Sequence, residues 1–314
     1  MSEANRNTKK GYNVVSVFDG AGCGKIALDR ANIKINNYVA SEIKPHAINT
    51  SKKHFPNIIH VGDIRKLHIV RNGVMVVDVE DNTYNPINIG VVDLLIGGSP
   101  CKGISRLNKN QEGLNHSEST LFWEFARLLK QAKFINPDVY FLLENTHGNK
   151  KATNTITETL GLKPISINSK LVSAQNRPRY YWTNIPRVAQ PKDKGITTKD
   201  VFDYSGEIVP ECRVKWLNNE SGLKSVRKGY TRINPFPKSG CLTANGHKKW
   251  NENYLFSNGV YRFLSVPELE KLQTMPPGFC SHLTYDEAYD LLGDGWTIDV
   301  IAHICSYLKI ILKK

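Results

Sequence analysis

The chain is 314 residues long, 40% hydrophobic and 23% charged, which suits a globular protein with one large core or two modest ones. No apolar run approaches the roughly 20 residues that would cross a bilayer, and the polar start (MSEANRNTKKGYN) lacks the apolar core of a signal peptide, so an intracellular protein with no membrane partner is expected. Lys and Arg outnumber Asp and Glu by 42 to 29, a net charge of +13 that fits a polyanionic partner and equally fits solubility alone.

In chain order, residues 13–18 (NVVSVF) read as a buried strand, followed by the turn Asp19-Gly20-Ala21-Gly22-Cys23-Gly24 and a helix from about Lys25 to Ala31. A second strand, Tyr38–Ser41, runs into Glu42. Pro45–Phe55 reads as a helix with proline in its first turn, and Ile58–Val61 leads to Gly62-Asp63. Residues 68–90 hold short β-like pieces, a hairpin elaboration. Val91–Ile96 forms the next strand, ending at Gly97-Gly98-Ser99-Pro100-Cys101. A long amphipathic helix from about Ser119 to Phe134 and a strand ending at Glu144-Asn145 follow. Such alternation predicts an α/β fold, a parallel sheet with helices on both faces. After a helix near 153–160, strands are expected at Lys170–Ser173 and Arg179–Thr183. Beyond Pro186 the pattern degrades into a polar, basic stretch until Tyr261, after which Val266–Thr274 and Ile298–Leu312 read as helices.

Three strand tips carry groups suited to an adenosine-containing cofactor. The glycine turn lets backbone amides approach a ligand, Glu42 can hold ribose hydroxyls, and Asp63 can accept from an adenine amino group. The turn has no Walker lysine, which argues against phosphoryl transfer. Cys101 is either a buried structural thiol or a nucleophile; Pro100 gives it a sharp exit from the strand, and Gly97 and Gly98 permit close approach of a planar substrate. Glu144 is either a paired structural carboxylate or a proton donor, with Asn145 able to fix it or the substrate edge. Arg177 and Arg179, two apart on an expected strand, would share one face. Cys23, Cys101, Cys212, Cys241, Cys280 and Cys305 form no CxxC pair, so no metal site is expected.

Together these pieces resemble the DNA cytosine-5 methyltransferases. Phe18-Asp19-Gly20-Ala21-Gly22-Cys23-Gly24 is similar to their first motif, Ser99-Pro100-Cys101 to the nucleophile motif, and Glu144-Asn145 to the Glu-Asn-Val motif. Gln175-Asn176-Arg177-Pro178-Arg179 resembles the QxRxR motif, Arg262-Phe263-Leu264-Ser265 with Glu268 and Leu272-Gln273 the ninth motif, and Gly293-Asp294-Gly295-Trp296 the tenth. The order covers residues 13 to 310. Ala40-Ser41-Glu42, Val61-Gly62-Asp63-Ile64-Arg65 and Arg179-Tyr180-Tyr181-Trp182 look closest to the de novo (type 3) branch. The chain departs from the pattern at Lys102, at Thr146 in place of valine, at Thr274-Met275-Pro276-Pro277 and at Asp294-Gly295.

The resemblance implies a Rossmann-like class I fold dependent on S-adenosyl-L-methionine, with a catalytic domain over 11–186, a small target-recognition region over 187–260 and a returning segment over 261–314. It implies that Cys101 attacks C6 of a flipped-out cytosine while Glu144 engages N3, with Arg177 and Arg179 steadying the nucleotide. Phe18, Asp19, Gly20, Gly22, Glu42, Ile43, Asp63, Ile64 and Trp296 would hold the cofactor. Pro100, Asn145, Arg227, Arg232 and Lys248 would contact double-stranded DNA, and Arg213, Lys215, Lys228, Lys238 and Lys249 would add to a phosphate-tracking surface. A tRNA cytosine methyltransferase and a catalytically silent DNA-binding homologue stand as alternatives. The setting would be the cytoplasm or nucleoid of a microbial or virus-infected cell, or a eukaryotic nucleus. A homodimer or a cognate restriction enzyme is left open as partner.

Overall fold

A computed structural model describes residues 11–100, 121–148, 150–233, 237–244, 246, 248, 250 and 252–308. Every position of the first strand, β1 (Tyr12–Val17), is buried, which is why its sequence reads as a continuous apolar run rather than an alternating one. Around it a seven-stranded sheet takes the order β3-β2-β1-β7-β8-β10-β9. Here β2 is Ile35–Ser41, β3 Ile59–His60, β7 Leu94–Gly98, β8 Tyr140–Thr146, β9 Ile165–Asn168 and β10 Pro178–Thr183. The pairs β1–β2, β2–β3, β1–β7 and β7–β8 are parallel, while β10 runs antiparallel to β8.

Strand order reverses at β1, which has β2 on one side and β7 on the other. Open α/β sheets bind ligands at such a switch point, beyond the carboxyl ends of the strands. Helix α1 (Cys23–Arg30) starts after Gly22, whose φ of 83° needs glycine. Helix α2 (Pro45–His54) carries its proline in the first turn, where no amide hydrogen is missed. In α3 (Leu121–Ile135), Phe122, Phe125, Leu128, Leu129 and Ala132 form the buried stripe that the spacing predicts. The elaboration expected over 68–90 is a three-stranded antiparallel meander, β4 (Leu67–Val70), β5 (Gly73–Asp78) and β6 (Thr83–Asn88).

The strand expected at Lys170–Ser173 is instead a single 3-10 turn, Ser169–Leu171; the strand lies upstream at Ile165–Asn168. Asn168 is the reason: its side chain accepts from the amides of Lys170 and Arg177 at 3.0 Å each, a local bond that competes with a sheet ladder.

By its internal contacts the chain divides into two units, one of Met1–Ile167, Arg179–Gln190 and Ile301–Lys314, the other of Asn168–Pro178 and Pro191–Val300. Residues 261–300 thus group with 191–260, and from Ile301 the chain groups with the sheet. Helix α4 (Lys150–Leu160) belongs to the first unit. The second contains helices α5 (Thr198–Val201), α6 (Glu211–Leu217), α7 (Glu220–Arg227), α8 (Val266–Leu272) and α9 (Tyr285–Asp294), and a sheet β11-β12-β13 of Arg232–Ile233, Asn253–Ser257 and Val260–Phe263. Among its buried residues, Val209, Leu217 and Tyr254 form one cluster. No helix among the described residues is long and apolar enough to cross a membrane.

Candidate active site

The chain leaves β1 through Phe18 at φ 57° and Gly20 at φ 63°, two left-handed corners on either side of Asp19. Glu42, one residue past β2, straps this turn: its Oε2 accepts from the Gly20 amide at 2.9 Å. Its Oε1 accepts from Ile43 N at 2.8 Å and Lys44 N at 2.9 Å. An ionised carboxylate offers about four acceptor positions, so one remains for a ligand hydroxyl. Asp19 is buried, accepts from the Tyr38 hydroxyl at 2.6 Å, and leaves Oδ2 without a hydrogen-bond partner among the described residues. Open space stands where a Cβ on Gly20 would be, and the Ile43 side chain beside Glu42 is 64% exposed. This donor set fits an adenosine with a charged tail.

Asp63 is more committed. Its oxygens accept from Arg65 N at 2.9 Å and Arg65 Nε at 3.1 and 2.9 Å, and the Arg65 bond holds its carboxyl below the usual carboxylate range. The Ile64 side chain belongs to the buried core beneath. Gly97 also has a packing reason: a Cβ there would sit 2.8 Å from Val17 Cγ2 and 3.0 Å from Val17 O, so the space expected for a substrate is taken by β1.

Glu144 and Asn145 lie inside β8 rather than after it, and successive residues of a strand point to opposite faces. On one face Glu144 Oε1 meets Arg179 Nε of β10 at 3.0 Å, with side chains only 11% and 12% exposed. On the other, Asn145 Nδ2 donates to Ser99 Oγ at 2.9 Å and Ser99 O at 3.2 Å, and Asn145 Oδ1 accepts from Thr146 N at 2.7 Å. Asn145 therefore grips the backbone of the Ser99-Pro100 exit from β7. Cys101 itself lies outside the described residues, as does Lys249.

In the second unit, Arg177 stands before β10, so the shared strand face expected for Arg177 and Arg179 is not formed. Arg177 is 4% exposed, and its guanidinium donates to Leu242 O at 2.7 Å, Gly295 O at 2.9 Å, Gly293 O at 3.2 Å and Cys241 Sγ at 3.3 Å. Gln175 joins the same knot, accepting from Leu242 N at 2.8 Å and donating to Leu272 O at 3.1 Å. Gln273 donates to Leu292 O at 2.5 Å and accepts from Thr297 Oγ1 at 2.8 Å. Trp296 is buried in this unit, next to Gly295.

Two of the basic residues expected on DNA are structural. Arg213 pairs with buried Glu252 at 2.6 Å and lies 5.0 Å over the Trp250 ring and 4.9 Å over Phe263. Lys238 donates to the carbonyls of Lys170 at 2.7 Å and Ser173 at 3.1 Å, and to that of Ile196. Arg227 and Lys228 are exposed, Arg232 is half-buried in β11, and Lys248 is exposed with Asp290 at 3.0 Å. Among the described residues no cluster of His, Cys, Asp or Glu could hold a metal.

The parallel sheet reversed at β1 and closed by an antiparallel β10 is a Rossmann-like class I methyltransferase fold. Solved structures share it: Entamoeba histolytica methyltransferase EhMeth aligns with 98% of this chain and 100% of its own at a TM-score of 0.70 and 17% identity. S. pombe Dnmt2 methyltransferase aligns with 97% and 100% at 0.62 and 17%. The chain belongs to the C-5 cytosine-specific DNA methylase family, whose sequence model matches residues 12–186. Among curated relatives, Type II methyltransferase M1.ScrFI of Lactococcus lactis subsp. cremoris is 26% identical over 99% of this chain and 81% of its own length. Type II methyltransferase M.Eco47II of Escherichia coli is 34% identical over 44% of this chain and 28% of its own, and Arabidopsis thaliana DNA (cytosine-5)-methyltransferase DRM1 32% over 39% and 19%. The chain is thus a DNA cytosine-5 methyltransferase by family.

Proposed function

We propose that the protein methylates C5 of a cytosine extruded from double-stranded DNA, with S-adenosyl-L-methionine as donor and Cys101 as nucleophile. When bound, the cofactor supplies an electrophilic methyl group. Cytosine C5 is too weak a nucleophile to take it unaided. Addition of the Cys101 thiolate to C6 forms a C6–S bond and drives the ring electrons toward N3, where Glu144 donates a proton or hydrogen bond. C5 of the resulting enamine can then be methylated. Loss of the C5 proton to solvent water re-forms the double bond, expels the thiolate and returns the N3 proton to Glu144, which restores both residues.

The observation that carries this reading is the Glu144–Arg179 pair, set one residue from the Asn145 grip on the strand exit that leads to Cys101. Arg179 fixes one carboxyl oxygen of Glu144, which orients the other. Glu42, Asp19 and the Gly20 turn would hold the adenosine and its charged tail. The basic side chains Arg227, Arg232 and Lys248 would track phosphates. Because the target atom is hidden in a stacked duplex, the base must leave the helix first. Type II naming of the relatives supports a restriction-modification setting, and the motif details support kinship with the de novo branch.

The test is transfer of label from methyl-tritiated S-adenosylmethionine to duplex DNA and to tRNA in parallel, with bisulfite sequencing of the DNA. Label in DNA at cytosines of a fixed context is expected. Label in tRNA alone would replace DNA as substrate, and label in neither would leave a silent binding protein.

A further inference from the structure

Tyr38 of β2 is 3% exposed and the sequence assigns it no role, yet the glycine turn is built around it. Its hydroxyl donates to Asp19 Oδ1 at 2.6 Å. A Cβ on Gly24 would stand 2.5 Å from that hydroxyl, 2.5 Å from Ile96 Cδ1 and 3.5 Å from Ser16 Oγ, so the last glycine of the turn makes room for Tyr38 and Ile96 together. Ser16 Oγ lies in the same buried space, beside the Asp19 carboxyl. Backbone is fixed on both sides: Asp19 N donates to Ser41 O at 3.1 Å, and Gly20 N to Glu42.

We propose that Tyr38 is a positioning residue for the cofactor, acting through Asp19 to hold the shape of the Phe18–Gly22 turn. This rests on the reading of that turn as the S-adenosylmethionine site. A buried carboxylate is stable only with a donor, and Tyr38 is placed to be one. Burial pushes the Asp19 carboxyl up to about 6, opposed by the Ser16 and Tyr38 hydroxyls and reinforced by Glu42. Facing the pair are Ser16 from β1, Glu42 after β2 and Cys23 from α1. As pH falls through this value Asp19 gains a proton, the charge-assisted bond from Tyr38 weakens, and the turn loosens.

The experiment is calorimetric binding of S-adenosylhomocysteine, without DNA, from pH 5 to 8. Wild type should bind tightly at pH 8 and lose affinity centred near pH 6. Tyr38→Phe keeps the ring and removes the donor. Its affinity at pH 7.5 should fall on the order of tenfold, and its acid loss should begin at higher pH. Asp19→Asn, nearly isosteric, should bind with little pH dependence across the range, and it decides the matter if the first variant fails to fold. Wild-type affinity and pH profile in Tyr38→Phe, or an unchanged acid limb in Asp19→Asn, would overturn the inference. No binding by the wild-type protein at any pH would overturn the cofactor reading itself, and this inference with it.

Discussion

Arg179 Nε lies 3.0 Å from Glu144 Oε1 across two antiparallel strands, and neither side chain is more than 12% exposed. Removing one partner of such a pair strands the other charge in a poorly solvated site, a loss of about 3 kcal/mol or more. Arg179→Ala should therefore lower the Tm and reduce kcat by at least on the order of 100-fold, the usual scale of a lost acid-base group. Arg179→Lys keeps the charge without the planar fork and should fall between the two. Thermal melts alongside single-turnover methylation would separate fold from chemistry.

Asn145 connects the carboxylate strand to the strand exit before Cys101 through Ser99. Asn145→Ala removes both bonds to Ser99 and should cut kcat on the order of tenfold, while the Kd values for DNA and cofactor stay near wild type. A rise in either Kd with unchanged kcat would show that Asn145 serves binding instead.

Charge on the second unit divides into two kinds. Replacing exposed Arg227 and Lys228 together by alanine should leave the Tm unchanged and flatten the dependence of log K on log salt for DNA by about two. Arg213→Ala should instead lower the Tm, because it uncovers Glu252 and removes a cation from between two rings. Filter binding at several salt concentrations and a melting curve distinguish them.

Glu252 offers a pH readout. Burial lifts its carboxyl to about 7 from an ordinary 4.5, with Arg213 opposing the shift. The folded protein then binds this proton more tightly than the unfolded chain does. Its contribution is most favourable below 4.5 and declines as pH rises to about 7. Glu252→Gln, fixed in the neutral form, should flatten the Tm profile between pH 5 and 8. An unchanged slope would mean that other groups set it.

The strands that carry the candidate site were legible for a physical reason. β1, β7 and β8 are buried on both faces, so each reads as an apolar run, and the candidate residues stand out where the runs stop. The stretch 187–260 of the second unit was opaque because helices α6 and α7 lack an apolar stripe. Among α7 residues the buried ones are Gly222 and Ser225, and a Cβ on Gly222 would lie 2.1 Å from Trp216 O. Helix α9 does carry a signal, the Thr284–Glu287 capping box, next to an irregular stretch. Arg213 and Lys238 misled because charge in a sequence does not say which partner it meets, and here the partners are a buried carboxylate and backbone carbonyls. Tyr38 was invisible for the converse reason: an aromatic residue in a buried strand looks like packing until its hydroxyl is seen on Asp19.

The central claim is that a single thiol attacks the pyrimidine. It is tested most directly with Cys101→Ser, by following tritium from S-adenosylmethionine into duplex DNA and measuring DNA affinity on the same preparation. The account predicts no methyl transfer with DNA binding close to wild type. Transfer at the wild-type rate by the serine variant would contradict it.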